Sequence, residues 1–552
     1  MAPLIIGRLA YLFGILDILA NTLRPFKSSA EKIEKYAPLL VNSTAVATSV
    51  FTGIALIIVA RSLIRRKKRA RNLAITILAI NIAADLFRYH KHPDQIILSA
   101  SLLMALILWR KDFYAVSDPT TKFAPFKGFL YSIFIAFIAG VFIIYFRHGE
   151  QLASGNTFSD VILTVLAGMM GLTGPARFTS DRISDVVGVT LAALGIFTLI
   201  VPLWLFFRRV APLPKQTSSE TELIKELIKH DSEQDSLGYF ATRSDKSVIW
   251  SDNKKAGIAY RVENGVMLAS GDPFGEFSLW PETIKKFLNE AKLHAWTPAV
   301  MGASDLGGEV WVEQADMLAI DIGDEAIISV KDFALEGRLM ANVRQMVNRV
   351  KRKGYTTWSK RWKDLTIDEK NNLLILAKKW RYGVSERGFS MSMDRFGEIN
   401  DGDCFVTIAI LEGKIKGFLY FVPWGDDRIS LDRMLREKNV DPGLTELMIV
   451  GTVEFARENR ITHISLNFAA FRSLFERAEK ISAGPVVRTT RNIIRFFSNW
   501  FQVESLYRFN AKFQPQWRTR YVLYPKAKDL LSVAWAALRA ERFISGFGRR
   551  GH

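Results

Sequence analysis

Four polar residues in the last third of this 552-residue chain occupy places where a polar group needs a reason. Asp432 follows the strand-like run from Asp427 to Leu431. Glu446 lies two residues into a helical pattern that opens at Leu444. Asn467 sits inside the strand-like run Ile461 to Phe468, and Lys512 begins Lys-Phe-Gln-Pro-Gln-Trp517. A carboxylate at a strand end that faces a cleft can accept a proton or hold an ammonium group. Glu446 suits that work, or equally the positive N-terminus of its own helix. An asparagine inside a strand has no packing purpose unless it faces the cleft, and Lys512 and Arg520 are cations suited to a phosphate. Trp517 and Tyr521 read as core. The single cysteine, Cys404, excludes an intrachain disulfide and a multi-cysteine metal site, and reads as a small core residue. The seven histidines form no H-E-x-x-H pattern, and His90 and His92 read as interfacial polarity, so no metal is expected.

The elements that must position these residues are legible around them. Cys404 to Leu411 and Ile415 to Val422 are β-branched and aromatic runs flanking the turn Glu412-Gly413-Lys414, which predicts a hairpin. Leu444 to Ala456 has helical spacing, and Ile461 to Phe468 returns as a strand. An earlier stretch repeats the order. Gly257 to Arg261 and Val266 to Ala269 flank Glu263-Asn264-Gly265, Gly271 to Gly275 closes the hairpin, Pro281 to His294 is an amphipathic helix and Thr297 to Met301 a strand. This order resembles the acyl-transfer core of the GNAT fold, occurring twice with a cleft between the copies. The connection from Asp432 to Gly443 is charged and holds one glycine, whereas a pyrophosphate needs closely spaced backbone N–H groups, so a coenzyme A donor is disfavoured. No cofactor is expected.

Between the copies, Glu336 to Gly354 predicts a helix with Leu339, Val343, Met346 or Val347, and Val350 on one face. Arg338, Asn342, Arg349, Arg352 and Lys353 fall away from it. Further lysines and arginines follow, interleaved with Trp358, Trp362 and Trp380. With a net charge of +19, this pattern suits phosphates and unstacked bases, or an anionic leaflet. Arg338, Arg344, Arg349 and Arg352 are therefore expected to contact nucleic-acid or lipid phosphate.

Apolar residues concentrate in the first 207 positions. Leu4 to Leu23, Pro38 to Ala60, Leu73 to Phe87, Gln95 to Trp109, Phe129 to Phe146 and Val186 to Phe207 give about six spans. The third and fourth are short enough to form a buried or re-entrant hairpin instead. Val161 to Leu172 reads as interfacial or re-entrant. Lys and Arg cluster at 61–71, 110–127 and 208–209, all on one side in that arrangement, which places both termini in the cytoplasm. The expected organisation is a transmembrane bundle over 1–210, a first GNAT-like subdomain over 211–335, and the basic helix with a second, catalytic subdomain over 336–552. Self-association through the membrane half is a further expectation.

The stretches Gly337 to Arg349, Ile429 to Met434, Gly443 to Glu446, Leu466 to Phe468 and Lys512 to Tyr521 resemble the catalytic domain of the multiple peptide resistance factor family, in order from about 220 to 525. The resemblance implies a multi-pass protein of the cell membrane. Its cytoplasmic tandem GNAT domain would move a lysyl or alanyl group from aminoacyl-tRNA, as co-substrate, to phosphatidylglycerol. The product is a less anionic surface lipid and resistance to antimicrobial peptides. Asp432, Glu446, Asn467 and Lys512 would be catalytic, and Arg433, Arg436 and Arg520 would bind substrate. The family's arginine three residues after the motif aspartate is Leu435 here. Larger members carry about fourteen spans, including a flippase half. Alternatives are transfer to another lipid or to a peptidoglycan precursor, and a non-catalytic protein that binds anionic lipid.

Overall fold

The structure, a computed structural model, describes residues 2–22, 53–64, 66–87, 93–115, 124–207, 216–229, 235–381, 388–468 and 507–542. The chain forms two compact units, Met1–Pro212 with Leu293–Ala295, and Leu213–Lys292 with Trp296–His552.

In the first unit the described helices are α1 (Ala2–Thr22), α2 (Gly53–Ile64), α3 (Lys68–Phe87), α4 (Pro93–Leu108), α5 (Ala124–Phe142), α6 (Phe158–Met169) and α7 (Asp181–Phe207). Phe126–Arg147 and Asp181–Leu203 are long and apolar enough to cross a bilayer. Ala2–Ile15, Gly53–Ile64, Ile96–Leu108 and Phe158–Met169 are shorter apolar helices. Most of the expected span from Pro38 to Ala60 lies outside the described residues, as do His90 and His92. The apolar piece expected near Val161 is α6, which packs Val161 and Val165 against Val187 and Leu191 of α7. That contact depends on Gly195, where a Cβ would lie 1.9 Å from the Met169 carbonyl.

The second unit is a mixed twelve-stranded sheet with helices on both faces. Its strands are β1 (Ser247–Trp250), β2 (Ala256–Glu263), β3 (Val266–Ser270), β4 (Phe274–Gly275), β5 (Thr297–Ala303), β6 (Leu318–Ser329), β7 (Thr356–Arg361), β8 (Phe405–Leu411), β9 (Lys414–Trp424), β10 (Arg428–Arg436), β11 (His463–Phe468) and β12 (Gln516–Tyr524). Their spatial order is β1-β2-β3-β5-β12-β6-β11-β10-β9-β8-β7, with β4 on β2. The alternation of side chains along the strands separates the cores. Val266, Leu268, Val406, Ile408, Phe418 and Tyr420 face a core that runs under both halves. Over it lie α8 (Ser218–Lys229), α12 (Ile367–Trp380) and α14 (Leu530–Ala540). On the other face Met267 and Ala269 meet α9 (Trp280–Leu293) and α10 (Asp305–Ala315), whereas Phe405, Leu419 and Phe421 meet α11 (Ala341–Arg352) and α13 (Leu444–Glu458).

Each half contains a hairpin, a helix and a strand that returns parallel to the hairpin's second strand: β3 with β5, and β10 with β11. The last strands are exchanged. β12 lies between β5 and β6, and β6 lies between β12 and β11. A boundary at residue 335 therefore divides the sequence but not the sheet.

Local elements differ from the sequence expectation in three places. The strand expected to stop at Leu431 continues to Arg436, paired to β9 throughout, with a bulge between Leu431 and Arg433. The extra residue shifts the alternation, so Ile429, Leu431 and Met434 all face the α13 side. The charges at Arg433 and Arg436 had disguised a strand as a loop. Leu339, expected on the inner face of the basic helix, precedes α11 and is exposed; Met340 takes the core position after Gly337 turns the chain at φ 75°. Trp362 and Trp380, read as base-stacking aromatics, are core residues, while Trp358 is partly buried and lies beneath Lys360.

Candidate active site

Parallel pairing between β10 and β11 ends at Ser430 and Ser465, and beyond that pair the two strands part. Asp432 occupies the bulge on one side, and Asn467 adopts a left-handed conformation, φ 66°, on the other. Asn467 Nδ2 donates to the Leu431 carbonyl at 3.1 Å and to the Met391 carbonyl at 2.8 Å, and its own N–H reaches Ser465 Oγ at 3.0 Å. One side chain thus bridges the parted strands and ties the 388–396 segment to them. Asp432 does the same from its side. Its side chain is wholly enclosed, accepts the Met393 N–H at 2.7 Å and pairs with Arg433 Nε at 3.1 Å. Burial raises its carboxyl above the ordinary range, against the pull of Arg433 and the Met393 N–H. Arg433 Nη2 also donates to the Met393 and Arg395 carbonyls.

Glu446 and Lys512 form a second pair. Glu446 lies in the first turn of α13, which opens at Gly443 with φ 109°, where a Cβ would lie 2.8 Å from the Met346 carbonyl of α11. Lys512 Nζ reaches Glu446 Oε1 at 3.0 Å and lies 5.1 Å from the Phe509 ring centre. The carboxylate is nearly enclosed and the ammonium is about one third exposed, so the pair reaches solvent through the lysine. Arg436 is exposed where β10 passes Gly417.

Arg520, expected to face substrate, is fully enclosed at the strand exchange. It contacts Glu325 at 2.9 Å, Asp235 at 2.6 Å, Ser236 Oγ at 2.7 Å and the Gly302 carbonyl at 3.2 Å. Burial works against both charges. Asp235 and Glu325 nevertheless hold the guanidinium protonated, and Arg520 with Ser236 and Ser465 holds the Glu325 carboxyl below its ordinary value. Because Ser465 Oγ bonds both Glu325 and the Asn467 N–H, this cluster continues into the parted strands. Of the four arginines around α11, Arg338, Arg349 and Arg352 are exposed. Arg344 instead donates to the Leu335 and Gly337 carbonyls, which fixes the entry to the helix.

The first half holds a counterpart of Asp432. Ser270 and Ser430 are the last parallel-paired residues of β3 and β10, so Asp272 and Asp432 both lie two residues beyond. Asp272 accepts the Ser304 N–H at 2.9 Å and the Ser304 hydroxyl. Burial, aided by Asp235, pushes its carboxyl up to about 7. Between the free aspartate value near 4 and that figure, the folded chain holds a proton the unfolded chain has released, so this group's contribution to stability falls as pH rises. Asp272→Asn, which can keep both bonds to Ser304, should remove that slope and stabilise the protein at pH 8 by up to about 4 kcal/mol relative to its effect at pH 4. Thermal unfolding of the full chain across that range measures it, and parallel curves for variant and wild type would contradict it.

The family described as Phosphatidylglycerol lysyltransferase, C-terminal, matches residues 225–524. The chain belongs to this family. Two curated relatives are lysylphosphatidylglycerol biosynthesis bifunctional proteins. The one from Rhodococcus opacus is 41% identical over 375 residues, covering 67% of this chain and 34% of the relative. The one from Mycobacterium bovis is 36% identical over 453 residues, covering 81% and 38%. The match thus spans about a third of the length of these relatives. Two solved structures share the fold of the second unit. A C-terminal DUF2156 domain from Agrobacterium fabrum has a TM-score of 0.51 at 19% identity, and L-PGS from Bacillus licheniformis has 0.50 at 20%. Each comparison covers 60% of this chain and 98% of the other.

Within the region matched by this family, the sequence reading missed Asp272, Glu325, Asp235 and the 388–396 segment. Two signals were available. Ser270-Gly-Asp272 at the end of β3 matches Ser430-Leu-Asp432 in β10 once the pair β2–β3 is aligned with β9–β10 rather than with the hairpin β8–β9, and Glu325 is a carboxylate beside the apolar run Ala326 to Ile328. The 388–396 segment carries no such mark, because its role lies in backbone groups: the Met391 and Met393 carbonyls and the Met393 N–H.

Proposed function

We propose that the chain is an integral membrane aminoacyltransferase that moves an aminoacyl group from aminoacyl-tRNA to a hydroxyl of phosphatidylglycerol. The observation that carries this reading is the family match over 225–524 together with the Glu446–Lys512 pair inside it. The relatives' names favour lysine as the group moved. In this reading the second unit is a cytoplasmic tandem GNAT domain, with subdomains over 211–335 and 336–552. The first unit is a multi-pass anchor over 1–210, with the Lys- and Arg-rich connections on the cytoplasmic side.

The reaction is an ester exchange and close to thermoneutral, so the site must position the reactants, move one proton and stabilise an oxyanion. The phosphatidylglycerol oxygen bonds to the aminoacyl carbonyl carbon, and the carbonyl electron pair moves onto its oxygen. Collapse of that intermediate breaks the bond to the tRNA ribose oxygen. Glu446 takes the proton from the attacking hydroxyl, and Lys512 gives one to the departing ribose oxygen. At 3.0 Å the two can then restore their starting states by a direct transfer. The first turn of α13 supplies a positive potential beside them. Asp432 and Asn467 act one step back, as positioning residues that hold the 388–396 segment across the parted strands. Exposed Arg338, Arg349, Arg352 and Arg436 supply cations for tRNA or lipid phosphates. No cofactor takes part in this scheme.

Lipid mass spectrometry of cells with and without the gene, with purified protein and charged tRNA as the controlled counterpart, tests the proposal. A new aminoacylated phosphatidylglycerol that depends on both the protein and charged tRNA supports it; an unchanged lipid profile in both assays overturns it. A positioning role for Asp432 makes a separate prediction. Asp432→Asn should lower turnover by about tenfold to a hundredfold, less than loss of a proton-transfer group, and increase proteolysis within residues 388–396. A change confined to donor KM, with 388–396 protected as in wild type, would make Asp432 a direct ligand of the donor ammonium instead.

A further inference from the structure

Helix α12 packs Leu373, Ala377 and Trp380 into the core beneath it, yet its outer side is also aliphatic. Ile367 is 77% exposed, Ile375 65% and Leu374 38%. With 3.6 residues per turn, Ile367, Asn371, Leu374, Ile375 and Lys378 share one face, pointing away from the buried one. Lys370, Lys378 and Lys379 border the aliphatic groups. The helix start is fixed by the Thr366–Glu369 capping box, and Glu369 is paired with Lys360, which leaves Asp368 as the one further carboxylate in the first turn. On the same face of the sheet α14 exposes Leu531 and Trp535, one turn apart, just after Lys526 and Lys528. A single exposed aliphatic residue is ordinary, but a helix face of them rimmed by lysines marks a partner.

We propose that the outer face of α12 rests on the surface of an anionic lipid bilayer. The aliphatic groups enter the boundary between headgroups and acyl chains, and the lysines meet lipid phosphates with their stems lying along the apolar layer. Charge complementarity selects this occupant, because the face combines apolar area with cations in a chain of net charge +19. A nucleic acid would use the cations but has no place for three exposed aliphatic side chains, since its bases stack on aromatic rings. The inference goes beyond the transferase reading and does not depend on which group is moved.

The full chain in lipid nanodiscs provides the test. Cys404 is buried, so a polarity-sensitive thiol dye should label Ile375→Cys selectively. Glu313→Cys, on exposed α10 across the sheet, serves as control. Chain-brominated lipid should quench the dye at 375 in discs containing phosphatidylglycerol, at least about threefold more than in phosphatidylcholine discs, and should leave the dye at 313 unchanged. Lys378→Glu with Lys379→Glu should abolish that difference between disc types. Quenching at 375 by aqueous iodide without quenching by brominated lipid overturns the proposal, as does equal shielding in both disc types, which would indicate a protein partner or a second copy. Aminoacyl transfer to detergent-dispersed phosphatidylglycerol, measured on the same preparations, keeps a failure here distinct from a failure of the transferase reading.

Discussion

Glu446→Gln is expected to lower turnover by about a hundredfold to ten-thousandfold while changing the KM for charged tRNA and for lipid by no more than about threefold. The amide keeps the size of the side chain and can still meet Lys512, so α13 should fold as before. What it loses is the capacity to take a proton from the attacking hydroxyl. Lys512→Ala should give a turnover loss of the same order, because the departing ribose oxygen then lacks its proton donor. If Lys512 instead only anchors a phosphate, its loss will appear in the lipid KM, and Lys512→Arg will restore it. Single-turnover measurements with saturating charged tRNA separate the two cases. The double variant adds a further check: two residues that act as one proton-transfer pair should together cost little more than either alone. Independent, additive losses would dissolve the pair and leave Glu446 as a charge that complements its helix dipole.

The contrast between this pair and Asp432 shows what the sequence could and could not convey. Both hairpins, both returning strands and the helix from Leu444 were legible, because period-two alternation and turn chemistry are local properties. The bulge at Asp432 was not. Arg433 and Arg436 made the segment look like a polar loop, whereas Arg433 is buried by bonding the Met393 and Arg395 carbonyls of a segment about forty positions earlier in the chain. The exchange of β6 and β12 was equally hidden. Either strand could complete either half by its own alternation, and the buried polar cluster at the exchange joins residues 235, 325, 465 and 520, which lie far apart in the sequence. The tryptophans illustrate the same limit. Trp362 and Trp380 stand among lysines and arginines in sequence, but the short helical turn that opens at Trp362 and the geometry of α12 point both rings inward.

That cluster yields the second large effect. Asp235, Asp272 and Glu325 are enclosed together, and Arg520 is the cation that the structure places among them. Removing one member of such a group leaves buried charge without compensation, which typically costs about 3–5 kcal/mol. Arg520→Met, close in volume but uncharged, should therefore lower the thermal unfolding midpoint of the second unit by several degrees and accelerate amide exchange in β6, β11 and β12. The loss should depend on pH in a defined direction. Without Arg520, burial raises the affinity of Glu325 for protons, so the folded variant holds a proton that the unfolded chain releases above about pH 4. Its stability then falls as pH rises, and the deficit against wild type is larger at pH 8 than at pH 5. Replacing Glu325 by Leu in the same background should recover part of the loss by removing one stranded carboxylate. Arg520→Lys should rescue poorly, because a point charge cannot serve Glu325, Asp235 and Ser236 at once. A variant with wild-type unfolding and exchange but a raised substrate KM would return Arg520 to the binding site.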